Sequence, residues 1–380
     1  MASGTYNEVL ERESIARQIR VEDRSNAVPR HIPELDGLRA VAVLTVMMFH
    51  LQFRGFSLGW SGVMLFFVIS GFLITGILLD TRDRPHYLRN FYMRRVIRIL
   101  PIYYLTLAVA VAIGAYLGQD MADIGYYLTY TQNYLLGDTN FTDRLPVMLN
   151  HTWSLAIEEQ FYLLWPLAVL WLSRNRLLGF LVGLFAVSIL ARLLMLLTLN
   201  NPTLVYTSLP TELDSLSAGA VLAVLVRSGI NLRQLAAKAV WVGALSGGII
   251  LALVELNGVS SFWHPSGWAT ELRNLPFFTL MALFWASIIS IVALGNSRLS
   301  PLLRLRPVRQ IGKVSYGLYI YHFPVYVLVD LILPNLLGSG NQQLIDAATP
   351  ATKVGVTLVL ALLSWHLLEE PTLRLKSHFR

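Results

Sequence analysis

The chain has 380 residues, of which 55% are hydrophobic and only 14% charged. A typical soluble domain carries about 25% charged residues, and a soluble fold of this length could not hide so much apolar surface. Cysteine is absent, which excludes disulfides, thiolate metal sites and a cysteine nucleophile. The eight histidines are scattered, without a metal spacing such as HExxH, so no metal is expected. The formal charge of +7 resembles a nucleic-acid signal, but the cations lie at the ends of apolar spans, as membrane topology requires. No nucleic-acid partner is expected.

In chain order, residues 1–33 are polar. "NEVLERESIARQIR" mixes both charge signs at helical spacing and reads as a short cytoplasmic amphipathic helix. It lacks the apolar core and small-residue cleavage site of a signal peptide. Apolar spans follow at roughly 37–53, 60–80, 100–118, 153–173, 177–198, 211–227, 239–255, 275–295, 314–333 and 352–370. Each is long enough to cross a bilayer as a helix. The alternating ten-residue segments of a membrane barrel are few. With the N-terminus inside, the later inner loops hold 19 Lys and Arg and the outer loops four, namely Arg54, Arg144, Arg273 and Lys353. The expected fold is therefore all-α, a polytopic membrane bundle of about ten transmembrane helices, N-in and C-in. Its parts are a cytoplasmic segment 1–33, a transmembrane domain 34–373 and a short cytoplasmic tail 374–380. The longest outer segment, about 120–152, carries Asp120, Asp123, Asp138 and Asp143. No internal repeat is evident, which weakens a transporter reading.

The first span, "DGLRAVAVLTVMMFH", holds Arg39 and His50 eleven residues apart. Eleven residues are almost three turns, so both share a face about 16 Å apart along the axis. One reading has Arg39 snorkelling to the inner surface and His50 marking the outer interface; the other is functional, since ionisable residues inside a membrane helix mark such sites. The fourth span opens "NHTWSLAIEEQFYLLWP", bringing His151, Trp153, Glu158 and Glu159 in from the outside. One carboxylate could face His50 and orient it; the alternative is acids in the headgroup layer beside a belt tryptophan. "FYMRRVIRILP" sets Arg94, Arg95 and Arg98 just before Pro101, which is expected to open the third span. Positive-inside topology alone would explain these arginines. With Arg39, Arg309 and Lys313 they would also form a basic inner mouth suited to phosphates. Asp36 could pair with Arg39. Asp214 lies near the outer end of the sixth span. In the ninth, "IGKVSYGLYIYHFPV", Ser315, Tyr319 and His322 share one face, as cavity lining or as helix-packing hydrogen bonds. Glu369 and Glu370 close the tenth span, most simply as a structural pair.

Seven segments together resemble the acyltransferase 3 family of integral-membrane O-acyltransferases. They are "IPELDGLRAVAVLTVMMFH", "GVMLFFVISGFLIT", "FYMRRVIRILP", "HTWSLAIEEQFYLLWP", "LDSLSAGAVLA", "IGKVSYGLYIYHFPV" and "LLEEP", in family order across residues 32 to 371. The resemblance implies a ten-helix core, an acyl-coenzyme A donor, usually acetyl, and O-acylation of carbohydrate-type acceptors. It points to Arg39 and His50 as functional residues, with His50 the base. Members acetylate lipopolysaccharide, exopolysaccharide or peptidoglycan sugars; others acylate macrolides or nodulation oligosaccharides. Many carry an Arg two residues before the Asp of the sixth span, where this chain has Glu212. Many also carry an esterase-like domain, and the resemblance here is to the stand-alone type.

The expected mechanism docks the nucleotide of acyl-coenzyme A on Arg39, Arg94, Arg95 and Arg98, with Lys313 and Ser315 also on the donor. The pantetheine arm rises along the Arg39–His50 face. His50 deprotonates an acceptor hydroxyl arriving from outside, and Glu158 or Glu159 holds its tautomer. His151, Trp153, Asp214, Tyr319 and His322 are expected to contact a carbohydrate or glycolipid acceptor. The expected location is the bacterial inner (plasma) membrane. A glycolipid flippase would need no coenzyme A, and a partner-binding subunit would tolerate alanine at these positions.

Overall fold

The computed structural model describes residues 31–137, 147–199, 201–259, 268–295, 297–338 and 341–379. The amphipathic helix expected on "NEVLERESIARQIR" lies outside these residues, as do Asp138, Asp143 and Arg144. Ten helices of eighteen or more residues account for most of the described chain: α1 Pro33–His50, α2 Ser61–Thr81, α3 Tyr87–Tyr116, α4 Trp153–Trp171 and α5 Arg174–Leu199, then α6 Leu209–Val226, α7 Leu232–Asn257, α8 Trp268–Ile289, α9 Ser315–Leu337 and α10 Gln342–Ser364. There is no strand among the described residues. Each of the ten apolar stretches overlaps one of these helices, and eight helical segments are long and apolar enough to cross a membrane. The chain is a polytopic membrane helix bundle. The two helices outside that set, α1 and α4, are those that carry Glu34, Asp36 and Arg39, and Glu158 and Glu159.

Helix α2 is the axis of the bundle, buried along most of its length. It crosses α6 closely enough that a Cβ on Gly71 would strike the carbonyl of Leu216, and one on Gly219 the carbonyl of Val68. Small residues are what let two backbones meet in a lipid-immersed bundle, where packing rather than water exclusion drives association. The outer helices α5 and α7 present Leu190, Leu197, Trp241, Leu245 and Leu251 outward, faces that only lipid would solvate.

Helix α3 differs from expectation. It begins at Tyr87 and passes through Pro101 without ending. Proline removes one backbone donor and crowds the preceding turn, but neighbours hold the helix on both sides of it. Tyr316 donates to the Ile99 carbonyl at 3.0 Å, and the hydroxyls of Tyr87 and Tyr92 reach the carbonyls of Pro166 (3.2 Å) and Leu163 (2.8 Å) on α4. Arg94, Arg95 and Arg98 are therefore mid-helix side chains with fixed directions.

At the His50 end, two short helical turns, Ile124–Leu128 and Gln132–Gly137, fold over the bundle. The buried Gln132 amide donates to the carbonyl and hydroxyl of Thr152 (3.0 and 3.1 Å) and to Tyr103 (3.2 Å). That ties down the tight turn Val147–Thr152, which carries His151 into α4. At the Arg39 end, Glu34 pairs with Arg304 at 2.5 Å, and the short helix Arg306–Lys313 packs on the first turn of α1. The residues after α10 form a π-helical turn Trp365–Glu369 and short turns Glu370–Arg374 and Leu375–His378. The expected tail is thus partly helical and lies against α3, where Arg94 Nε donates to the Phe379 carbonyl at 2.7 Å.

Candidate active site

Helices α1, α2, α3, α4 and α9 enclose a cavity of about 300 Å³. Arg39, Arg95 and Arg98 stand on its walls, together with Glu158, Ser315 and Tyr319. Three of the four arginines expected to hold the donor nucleotide thus meet in one space. α4 supplies a polar stripe at four-residue spacing, Ser154, Glu158 and Tyr162, all on one face of the helix. The same period on α9 sets Ser315 below Tyr319. Ser70 of α2 bonds to the Tyr162 hydroxyl, and Arg95 lies over the Tyr162 ring at 5.5 Å. Ser315 is fully buried and its hydroxyl has no hydrogen-bond partner. Arg39 sits in the field of Arg98, Asp36 and Glu158.

A second cavity of about 180 Å³ adjoins the first and shares Ile77, Arg95 and Arg98 with it. Arg84, Arg94 and Lys376 complete its charged lining, which includes no carboxylate. Arg94 belongs here rather than to the first cavity.

Toward the other end, Ser154 and Tyr319 wall the first cavity, their hydroxyls 2.6 Å apart, and Tyr319 also reaches the His151 carbonyl at 2.9 Å. Beside Tyr319 lies a group of three imidazoles. His322 Nε2 is 3.1 Å from His50 Nδ1, and the His322 and His151 rings are 5.0 Å apart. His151 stands in the tight turn before α4, and burial, with His50 nearby, holds it well below the ordinary imidazole range. It is therefore uncharged near neutral pH.

The tautomers follow from one contact. His322 Nδ1 is 2.6 Å from the Tyr319 carbonyl oxygen. A carbonyl only accepts, so Nδ1 of His322 carries the proton. In the neutral ring Nε2 is then an acceptor, and His50 must donate to it from Nδ1. The Nε2 of His50 is left with its lone pair. An imidazole held this way has the geometry that general-base chemistry needs, with one free nitrogen defined.

Several expectations need correction. Neither Glu158 nor Glu159 bonds to His50. Glu158 lies seven residues past His151, about 10 Å along the axis, which brings it to Ser70, Tyr162, Arg95 and Arg39 instead. Glu159 lies beside Glu158 in the field of Arg95 and lines neither cavity. Asp36 does not fork Arg39; it is 3.1 Å from His31 and 3.8 Å from Arg309. Arg309 makes that 3.8 Å ion pair without a hydrogen bond from its Nε, and Lys313 is exposed; neither lines a cavity. Asp214 is wholly buried. It accepts from both terminal nitrogens of Arg192 at 2.7 and 2.8 Å and from Thr279 at 2.6 Å, so no acceptor surface remains. Arg192 also donates to the Thr211 carbonyl, a turn above Asp214. Trp153 is buried against Tyr206 at 4.6 Å and Phe67 at 6.1 Å. It lines neither cavity. His322 is bonded on both ring nitrogens, to the Tyr319 carbonyl and to His50. Glu369 sits in the field of Arg98 and Arg39, while Glu370 contacts Arg374 at 3.6 Å on the surface.

Sequence reasoning missed Ser70, Ser154, Tyr162, Arg84 and Lys376. The stripe Ser154–Glu158–Tyr162 was readable as a period of four on α4. Ser70 and Lys376 carry no such local signal.

Comparison with known families matches residues 32–368 to one described as an acyltransferase domain. The chain belongs to this acyltransferase family. Among curated relatives, the peptidoglycan O-acetyltransferase OatA of Listeria monocytogenes serovar 1/2a is 29% identical over 363 residues, covering 90% of this chain and 56% of that protein. The O-acetyltransferase OatA of Staphylococcus aureus (strain NCTC 8325 / PS 47) is 31% identical over 320 residues, covering 80% of this chain and 52% of that protein. The chain thus spans about half the length of the curated relatives it matches. No solved structure matches this acyltransferase-family chain significantly.

Proposed function

We propose that the protein is a membrane O-acetyltransferase. It moves an acyl group, acetyl by the naming of its relatives, from cytoplasmic acyl-coenzyme A to a hydroxyl of a cell-envelope glycan. The observation that carries this reading is the shared cavity running from the arginines to the Ser154–Tyr319 wall, with the His50–His322 pair directly behind. The curated relatives are named for peptidoglycan, which makes that polymer the first acceptor to try, ahead of lipopolysaccharide or exopolysaccharide. The Arg39 end faces the cytoplasm, consistent with the excess of Lys and Arg in the loops there, in a bacterial inner membrane.

In this reading the donor's phosphates rest on the arginines and its pantetheine arm fills the cavity. An acceptor oxygen attacks the thioester carbonyl while its proton passes to His50 Nε2. The new C–O bond forms, a tetrahedral oxyanion results, and its collapse breaks the C–S bond. The departing thiolate takes the proton from the His50 imidazolium, leaving free thiol and ester. His322 accepts from His50 Nδ1 throughout, a role that a carboxylate fills in other acyl-transfer sites. Glu158 holds Arg39 and Arg95 in place and offsets part of their mutual repulsion.

The test is a titration of the purified protein in nanodiscs with acetyl-coenzyme A, comparing wild type with Arg39→Ala and His50→Ala. The reading requires that wild type binds, that Arg39→Ala binds weakly, and that His50→Ala binds without transferring acetyl to a cell-envelope glycan extract. Absence of wild-type binding at millimolar donor would refute it and favour a glycolipid flippase.

A further inference from the structure

The second cavity has a composition the first lacks. Arg84, Arg94, Arg95, Arg98 and Lys376 all line it, and no acidic side chain does. Like charges brought together in a partly enclosed space repel, and an anion relieves that. Lys376 lies in the field of Arg98, Arg95, Arg94 and Arg39 at once. It comes from the turn Leu375–His378, which is fastened to α3 by the bond from Arg94 to the Phe379 carbonyl. Phe379 also lines this cavity, and its ring is 5.8 Å from the Arg89 guanidinium. An aromatic ring beside a cluster of cations suits a nucleotide, whose base can stack while its phosphates pair.

We infer that the segment Leu375–Phe379 forms one wall of a nucleotide subsite, in which Lys376 binds phosphate and Phe379 packs against the base. The inference rests on the donor reading above and deepens it. The two cavities divide the donor: the small basic one takes the phosphorylated adenosine, and the larger one takes the acyl-pantetheine. The segment thereby selects for the nucleotide portion and contributes nothing to the chemistry at His50.

The experiment separates these portions. Binding of coenzyme A and of adenosine 3′,5′-bisphosphate is measured in nanodiscs for wild type, Lys376→Ala and Lys376→Arg, and acetyl transfer is followed from acetyl-coenzyme A and from acetyl-pantetheine. Loss of one charge-assisted contact to phosphate should weaken both nucleotides about tenfold in Lys376→Ala. Lys376→Arg should recover most of that affinity, and transfer from acetyl-pantetheine should be unchanged in both variants. Phe379→Ala should weaken the bisphosphate as well. If wild type binds both nucleotides and Lys376→Ala binds them equally well, the subsite is wrong while the donor reading stands. Equal losses with acetyl-coenzyme A and acetyl-pantetheine would also overturn it, since they would mean a general structural fault. If wild type binds neither nucleotide, the donor reading itself fails.

Discussion

His50 Nδ1 stands 3.1 Å from His322 Nε2, and the other nitrogen of His322 is bonded to the Tyr319 carbonyl at 2.6 Å. The two imidazoles thus form a directed chain anchored on a backbone oxygen. A carbonyl is a fixed acceptor that does not titrate, so the direction holds wherever both rings are neutral. The chain leaves His50 Nε2 as the basic atom without using a buried carboxylate, which would be costly in a membrane bundle unless paired.

The first prediction concerns this pair. His50→Ala should lower kcat by about 10²–10⁴, the usual worth of a general base. His322→Phe keeps the volume but removes the acceptor, and should lower kcat substantially with the donor KM little changed. His322→Gln, which can still accept at the same place, should retain more activity than His322→Phe. Steady-state kinetics with acetyl-coenzyme A distinguishes these outcomes; equal activity of His322→Phe and wild type would remove the relay.

Glu158 and Glu159 should separate. Glu158→Gln takes away the one carboxylate among the arginines of the larger cavity, so its effect should fall on donor KM and not on the pH dependence of kcat. Glu159→Gln should be milder. A change in the kcat profile of Glu158→Gln matching that of His322→Phe would restore the carboxylate to the role of orienting His50.

Arg39 should not be replaceable by lysine. Its planar guanidinium offers several donors in a fixed geometry, and an ammonium offers one point charge. Donor KM should rise in Arg39→Lys and more in Arg39→Ala, with kcat affected less. A donor titration of the three proteins checks the order.

Arg192 and Asp214 make a buried ion pair at 2.7 Å between α5 and α6. Removing one partner strands the other charge and should cost about 3–5 kcal/mol. Asp214→Ala should therefore give poorly folded protein. The double variant Arg192→Met with Asp214→Leu should recover much of the folded yield, and the recovered protein should be active. Thermal unfolding in detergent reports the first effect. Inactivity of a well-folded double variant would return Asp214 to the acceptor site.

At the α2–α6 crossing, Gly71→Val and Gly219→Val each insert side chains where a carbonyl already stands. Overpacking of this kind usually costs about 1–3 kcal/mol, and more where backbone cannot yield. Both variants should lower the unfolding temperature, whereas Gly183→Val on α5, with open space around it, should not.

Some of this was legible along the chain and some was not. The Arg39–His50 face on α1 was readable because helical spacing is local: eleven residues return to the same face whatever surrounds them. The apolar stretches were readable for a similar reason, although α3 starts at Tyr87 rather than near residue 100. There the helix continues through Pro101 because Tyr316 and the α4 carbonyls support it, contacts no local rule contains. Glu158 was recognised as unusual but given the wrong partner. The position of a carboxylate along its own helix could be counted, while the depth at which α4 meets α1 could not.

By itself the sequence determined an all-helical membrane bundle, a family membership carried by ordered motifs, and the candidates Arg39 and His50, since all of these rest on composition and spacing within single helices. Only the tertiary structure decided that His50 is served by a histidine 272 residues away, that Asp214 is spent on Arg192, and that Lys376 joins the arginines of α3. The physical reason is that such pairings depend on which helices are neighbours and at what height they cross. Those choices are made by the packing of side chains from the whole bundle at once.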